Sequence, residues 1–336
     1  MYQAYYGLKE NPFKVTPDPR FVYMGEKHRE ALAQLLYGVK ESKGFIVVTG
    51  EVGTGKTTMI HYLLGRFNGN GHTKTAFLFN PKLTVDDFLT YILDDLGVTP
   101  QQGGKAAQLQ ALHKFLLEAY EKDQKVVLII DEAQGLKPEL LEEIRLLSNM
   151  ETAKSKLLQI VLVGQPELND TLAQSAYRQL RQRINLRYHL APLSKKEMVE
   201  YIEKRLRTAG GDKSLFSEQA IREIYRRSRG TPRLINILCD NSLLNAYAQD
   251  QKRVNERSVR EAARDLKLPG KTLKTWIWIV LGLVIFATAL FLVGVRYTGV
   301  FEFFHRKPVM NLQDLMRMAT GFHEMLNLFQ EAIFTR

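Results

Sequence analysis

Cysteine is nearly absent from this 336-residue chain: Cys239 stands alone. One thiol forms no intrachain disulfide, which excludes a disulfide-stapled secreted scaffold and a multi-cysteine zinc module. No apolar run follows a basic cluster in residues 1–12, so no cleavable signal peptide is expected. Internal repeats and low-complexity tracts are also missing. Tryptophan occurs twice, and both copies fall within three residues of each other, at Trp276 and Trp278. What remains is an ordinary globular composition, 45% hydrophobic and 25% charged, long enough for about two domains.

Acidic residues are scarce in one block. Residues 191–275 hold 19 basic and 11 acidic side chains, which accounts for +8 of the chain's net +11. Such a block faces something anionic: nucleic acid, a phospholipid surface or a nucleotide. Charge vanishes altogether over residues 276–295. Twenty uncharged residues span about 30 Å as a helix, the thickness of bilayer hydrocarbon. Trp276 and Trp278 at one end and Tyr297 at the other suit an aromatic belt. Arg260, Arg264, Lys267, Lys271 and Lys274 precede the segment, against Arg296, Arg306 and Lys307 after it. The excess of positive charge places the larger, N-terminal part in the cytoplasm.

Up to residue 190 short β-branched or apolar runs (45–49, 75–79, 126–130, 158–163 and 186–190) alternate with stretches of helical spacing (59–66, 85–96, 107–120 and 140–147). This alternation predicts an α/β fold with a parallel sheet covered by helices on both faces. From Ser194 the pattern turns helical, over 194–209, 217–228, 232–248 and 255–266, with Ser194, Ser217 and Asn255 as N-caps. The expected division is an α/β core at 1–190, a helical lid at 191–268, a basic linker at 269–275, a transmembrane helix at 276–295 and a short tail at 296–336. In the tail Leu312, Leu315, Ala319, Phe322, Leu326, Phe329 and Ile333 follow a 3-4 spacing, which suits an amphipathic helix.

Gly50-Glu51-Val52-Gly53-Thr54-Gly55-Lys56-Thr57 follows the first apolar run and opens a helix, and Thr58 continues it. Glycines there let backbone N–H groups close around phosphates, with the helix directing its positive end at them. Lys56 is suited to the β and γ phosphates of ATP and the Thr57 hydroxyl to Mg²⁺. The run 126–130 ends in Asp131-Glu132, which puts carboxylates at the open edge of the sheet. Asp131 is expected at Mg²⁺, and Glu132 as the base that activates water. Gln165, after the fourth run, is a candidate sensor of the γ-phosphate. Arg178, Arg181 and Arg183 precede the fifth run, where Arg183 or Arg181 would complete a neighbouring subunit's site. Arg233, in Gly230-Thr231-Pro232-Arg233, would reach the phosphates from the lid.

In core, lid and motif order the chain resembles the AAA+ P-loop ATPases. Tyr6-Gly7-Leu8-Lys9, Asn11-Pro12-Phe13, Thr16-Pro17-Asp18-Pro19-Arg20-Phe21, His28-Arg29-Glu30-Ala31-Leu32, Asp131-Glu132-Ala133-Gln134, Gly164-Gln165-Pro166-Glu167-Leu168 and Gly230-Thr231-Pro232-Arg233 are similar, more narrowly, to the ExeA/GspA secretion ATPases. The resemblance covers about residues 1–268. It implies a homo-oligomeric ATPase at the inner membrane, serving a type II secretion, pilus or exopolysaccharide/exosortase system, with its tail periplasmic and its basic flank on anionic lipid. Secretion members carry a periplasmic peptidoglycan-binding domain after the membrane helix. Only 41 residues follow Val295 here, so peptidoglycan is not an expected partner. Two other readings share these motifs: a DNA-handling AAA+ protein of the transposition-helper or initiator type, and a slow nucleotide switch. The membrane segment disfavours nucleic acid as partner, and Glu132 with the arginines disfavours the switch.

Overall fold

A computed structural model of the chain describes residues 1–16, 18–69, 71–79, 81–99, 103–267 and 281–289. Five strands, β1 (Phe45–Gly50), β2 (Thr73–Leu78), β3 (Lys125–Ile130), β4 (Leu158–Gly164) and β5 (Ile184–Leu190), form one sheet in the order β2-β3-β4-β1-β5. Every pairing in it is parallel. β4 therefore stands between the strand that ends in the glycine-rich loop and the strand that ends in Asp131. The expected parallel sheet is present, and its central strands are buried on both faces. Alternation then sorts their side chains. Phe45 and Val47 of β1 join Val126 and Leu128 of β3 in one core, whereas Ile46 and Val48 join Val127 and Ile129 in another.

Helices α1 (Tyr2–Tyr5), α2 (Glu26–Lys40), α3 (Lys56–Asn68), α4 (Val85–Asp95), α5 (Gly104–Glu121), α6 (Pro138–Leu147), α7 (Glu167–Ala173) and α8 (Arg178–Gln182) come before or between the strands. α4, α5 and α6 cover the first face of the sheet, and α2 and α3 the second. Strand and helix positions agree with the sequence pattern to within a few residues. β2 ends at Leu78, not at Phe79, because its ladder with β3 runs only to Ile130; Phe79 lies beyond it and is exposed.

The helical block comprises α9 (Lys195–Thr208), α10 (Glu218–Ser228), α11 (Pro232–Ala248) and α12 (Glu256–Asp265). Ser194, Ser217 and Asn255 each accept a backbone N–H from the first turn, as N-caps do, and Ser194 forms a full capping box with Glu197. The N-terminal segment belongs to this block's core: Tyr2, Tyr6, Leu8, Phe13 and Phe21 pack with Met198, Ile202, Phe216 and Ile235. Phe13 and Phe216 meet edge to face, with ring centroids 6.0 Å apart. Tyr2 donates a hydrogen bond to Asp240 of α11.

Residues 1–268 form one compact unit, and a division falls at Pro269. Of the remainder, residues 281–289 are helical and exposed along their whole length. The basic linker, most of the expected span at 276–295 and the tail lie outside the described residues. Among the described residues no helix is long and apolar enough to cross a membrane.

Candidate functional site

A parallel sheet presents all its C-terminal strand ends along one edge, so Gly50, Ile130 and Gly164 finish side by side. Above that edge lies a cleft of about 260 Å³. Its floor is the glycine-rich loop and the start of α3. Gly53 and Gly55 adopt φ of 79° and 98°, values that only glycine takes without strain. Gly53 has a second reason to lack a side chain: a Cβ there would stand 2.7 Å from the Arg233 Cβ. Lys56 is buried and folds over the loop, donating to the carbonyls of Gly50 at 2.7 Å and Glu51 at 3.1 Å. Burial lowers its pKa, and the nearby Glu132 and Asp131 oppose that fall.

Thr57 donates its hydroxyl proton to Asp131 Oδ2 at 2.7 Å, and Asp131 is fully buried. Its other oxygen accepts the Glu132 backbone N–H at 2.9 Å. A hydroxyl and a carboxylate meeting beneath a phosphate-binding loop are hard oxygen donors, which fits Mg²⁺, an ion that takes one or two protein ligands and completes its shell with phosphates and water. Among the described residues no group of three or more His, Cys, Asp or Glu side chains could hold a metal by itself. Glu132 is half-buried with φ of 51° and lines the cleft with Gln165.

The structure thus gathers Gly53, Gly55, Lys56, Thr57, Thr58, Glu132, Gln165 and Arg233 around one space, with Asp131 just beneath. Arg181 and Arg183 are not among its lining. The Arg181 guanidinium donates to the Ala173 carbonyl at 2.8 Å, and Arg183 reaches the Ser148 hydroxyl at 3.3 Å.

Apart from Phe21, which ends the Thr16–Phe21 motif, the far wall is made of residues that no motif contains. Phe21, Val22, Tyr23 and Met24 face Tyr201, Arg205 and Asn236 of the helical block. Arg205 is buried, and its guanidinium donates to the carbonyls of Pro12 at 2.8 Å and Lys14 at 3.2 Å. It also lies over the rings of Phe21 and Tyr201, at 5.4 and 5.2 Å. One signal for it was present: Met198, Tyr201, Ile202, Arg205 and Leu206 share the buried face of α9, and an arginine on such a face needs partners. His28 is buried against the loop from α2, its Nε2 3.0 Å from the Thr54 carbonyl. A carbonyl only accepts, so Nε2 carries a proton; burial pushes the ring's pKa down, and the bond to the carbonyl opposes that fall.

A family model described as an AAA domain matches residues 39–172. General secretion pathway protein A of Aeromonas hydrophila is 39% identical across 93% of this chain and 57% of its own length. The chain thus spans little more than half of that relative. An uncharacterized HTH-type transcriptional regulator of Methanocaldococcus jannaschii is 24% identical, over 77% of this chain and 73% of its own. Among solved structures, Drosophila ORC bound to DNA aligns with a TM-score of 0.58 and 16% identity, covering 94% of this chain and 82% of that one. Cdc6p of Pyrobaculum aerophilum aligns at 0.57 and 19%, covering 78% and 74%. At such identities the two structures share the fold.

Proposed function

Since the chain belongs to the AAA+ P-loop ATPases and is related over 93% of its length to general secretion pathway protein A, we propose that it is an inner-membrane ATPase that uses ATP hydrolysis to assemble or regulate an envelope export machine. The observation that carries the enzymatic part is the convergence of Lys56, the Thr57–Asp131 pair and Glu132 on one cleft. The phosphates would lie in the loop, where the backbone N–H groups and the start of α3 favour negative charge. Phosphate oxygens compete with the Gly50 and Glu51 carbonyls for the Lys56 ammonium, and the closer charge match favours the phosphates. Thr57 and Asp131 would hold Mg²⁺, which when bound neutralises charge on the phosphate oxygens. Glu132 would take the proton of the attacking water. The half-apolar far wall of Val22, Tyr23, Met24 and Tyr201 suits the base. Gln165 and Arg233 would read the state of the γ-phosphate from the sheet and from the lid.

The remaining parts of the reading rest on sequence and relationship. Residues 276–295 would be a single membrane span with the ATPase in the cytoplasm and the tail in the periplasm. Arg260, Arg264, Lys267, Lys271 and Lys274 would lie against anionic headgroups, each contributing on the order of 1 kcal/mol. Copies of the chain would assemble with one another, with Arg183 or Arg181 completing a neighbour's site.

Glu132→Gln separates binding from chemistry. The amide keeps the shape but takes up no proton, so ATP should bind with near-wild-type affinity while steady-state turnover falls at least about a hundredfold. Wild-type turnover in this variant would remove Glu132 from the role.

A further inference from the structure

One residue of the Asp131-Glu132-Ala133-Gln134 run has no part in the chemistry above, yet it touches two residues that do. Gln134 sits in a single 3₁₀ turn, Ala133–Gly135, directly after the β3 carboxylates. Its Nε2 donates to Glu132 Oε2 at 2.5 Å, and its Oε1 accepts the Gln165 backbone N–H at 2.9 Å. A backbone N–H can only donate, so that contact fixes which end of the amide is oxygen and turns the NH₂ toward the carboxylate. The Gln165 side chain reaches the same Glu132 oxygen at 3.3 Å.

The backbone on both sides accommodates this arrangement. A Cβ on Gly164, at the end of β4, would stand 2.9 Å from Gln134 Oε1 and 3.3 Å from Gln134 N. Glycine there leaves room for the amide. Glu132 holds a left-handed φ of 51°, a conformation that a glutamate keeps only where its surroundings fix it. The Asp131 carboxylate holds its N–H from one side, and Gln134 holds its side chain from the other.

We infer that Gln134 is a positioning residue for hydrolysis: its amide aims the Glu132 carboxylate and ties it to the tip of β4, so that what Gln165 meets in the cleft is passed to the base. The inference rests on Glu132 acting as the base. With Oε2 held by amide hydrogens, Oε1 is left for the water. The two carboxylate oxygens then cannot exchange roles, and the base is kept in one orientation rather than several. A catalytic group held so contributes to rate without contributing to nucleotide affinity.

Two variants of the full chain test this beside Glu132→Gln. Gln134→Glu keeps the acceptor for the Gln165 N–H and the side-chain shape, and replaces only the donor facing Glu132. Gln134→Met keeps the length and removes both contacts. Both should lose at least about tenfold in kcat, with KM for ATP and the affinity for a fluorescent ADP analogue within about twofold of wild type. Wild-type kcat in both, beside a stalled Glu132→Gln, overturns the positioning role and leaves the base in place. Parallel loss of kcat and ADP affinity also overturns it, since that marks a merely structural glutamine. Full turnover in Glu132→Gln removes the base itself, and the inference falls with it.

Discussion

Arg233 rests on Gly53: its backbone N–H donates to the Gly53 carbonyl at 3.3 Å, and no Cβ fits between them. The first turn of α11 and the glycine-rich loop are therefore in direct backbone contact. Gly53→Ala should push them apart. The left-handed φ alone costs alanine about 1–2 kcal/mol, and the clash with Arg233 adds to it. Nucleotide affinity, read by titration of a fluorescent analogue, should fall at least about tenfold. Unchanged affinity would show that the lid can shift without cost to the loop.

His28 offers a test by pH. Its folded pKa lies below the ordinary 6.5 because burial disfavours the imidazolium. The unfolded chain then takes up a proton at a higher pH than the folded one does. Stability from this residue is complete above about pH 6.5 and is lost as pH falls toward the folded value. The wild-type melting temperature should accordingly drop more between about pH 7.5 and 5.5 than that of His28→Gln, which has nothing to protonate. Parallel curves would assign the acid sensitivity elsewhere.

Assembly is tested by mixing. Arg183 is engaged with Ser148 of its own chain and does not line its own cleft. If it serves a neighbour, Arg183→Ala alone should be slow, and an excess of Glu132→Gln subunits should partly restore turnover, each supplying what the other lacks. Failure of every mixture to recover activity, with specific activity flat over about a hundredfold dilution, would exclude a shared site.

Topology is tested by labelling. In a Cys239→Ser background, a cysteine at Thr335 should react with a membrane-impermeant thiol reagent in intact spheroplasts, and a cysteine at Ser42 should not. The reverse pattern would place the ATP-binding cleft on the side without ATP and would end the membrane-anchored reading.

What the sequence reveals depends on how far apart the interacting residues lie. The phosphate loop is legible because its function needs seven or eight consecutive residues, and Asp131 because an apolar run ends on it. The order of the sheet gives the pair its meaning: β4 inserts between the two motif strands and sets the loop and the carboxylate one strand apart. Beyond Phe21 the far wall is not legible. Arg205 meets Pro12 across 193 positions, a distance over which periodicity carries no information. Gln134 was in view among the motifs, but its partner Gln165 is 31 residues away, and only the parallel register of β3 and β4 brings them together. α2 is hard to read from sequence because Glu26, Lys27, Arg29 and Glu30 crowd its first turns, although His28, Ala31, Leu32 and Leu35 form a buried face beneath them.

The seating of the N-terminal segment in the core of the helical block also governs the order in which the molecule can be completed. Tyr2, Phe13 and Phe21 are made some two hundred residues before Met198, Phe216, Ile235 and Val259, which share their core. At about 5–20 residues per second, that interval lasts roughly 10–50 s. For that time the central sheet can form while three large aromatic side chains wait in solvent. A chain interrupted before α9 lacks every helix against which these rings are buried, so truncated products should be the species that chaperones and proteases recognise.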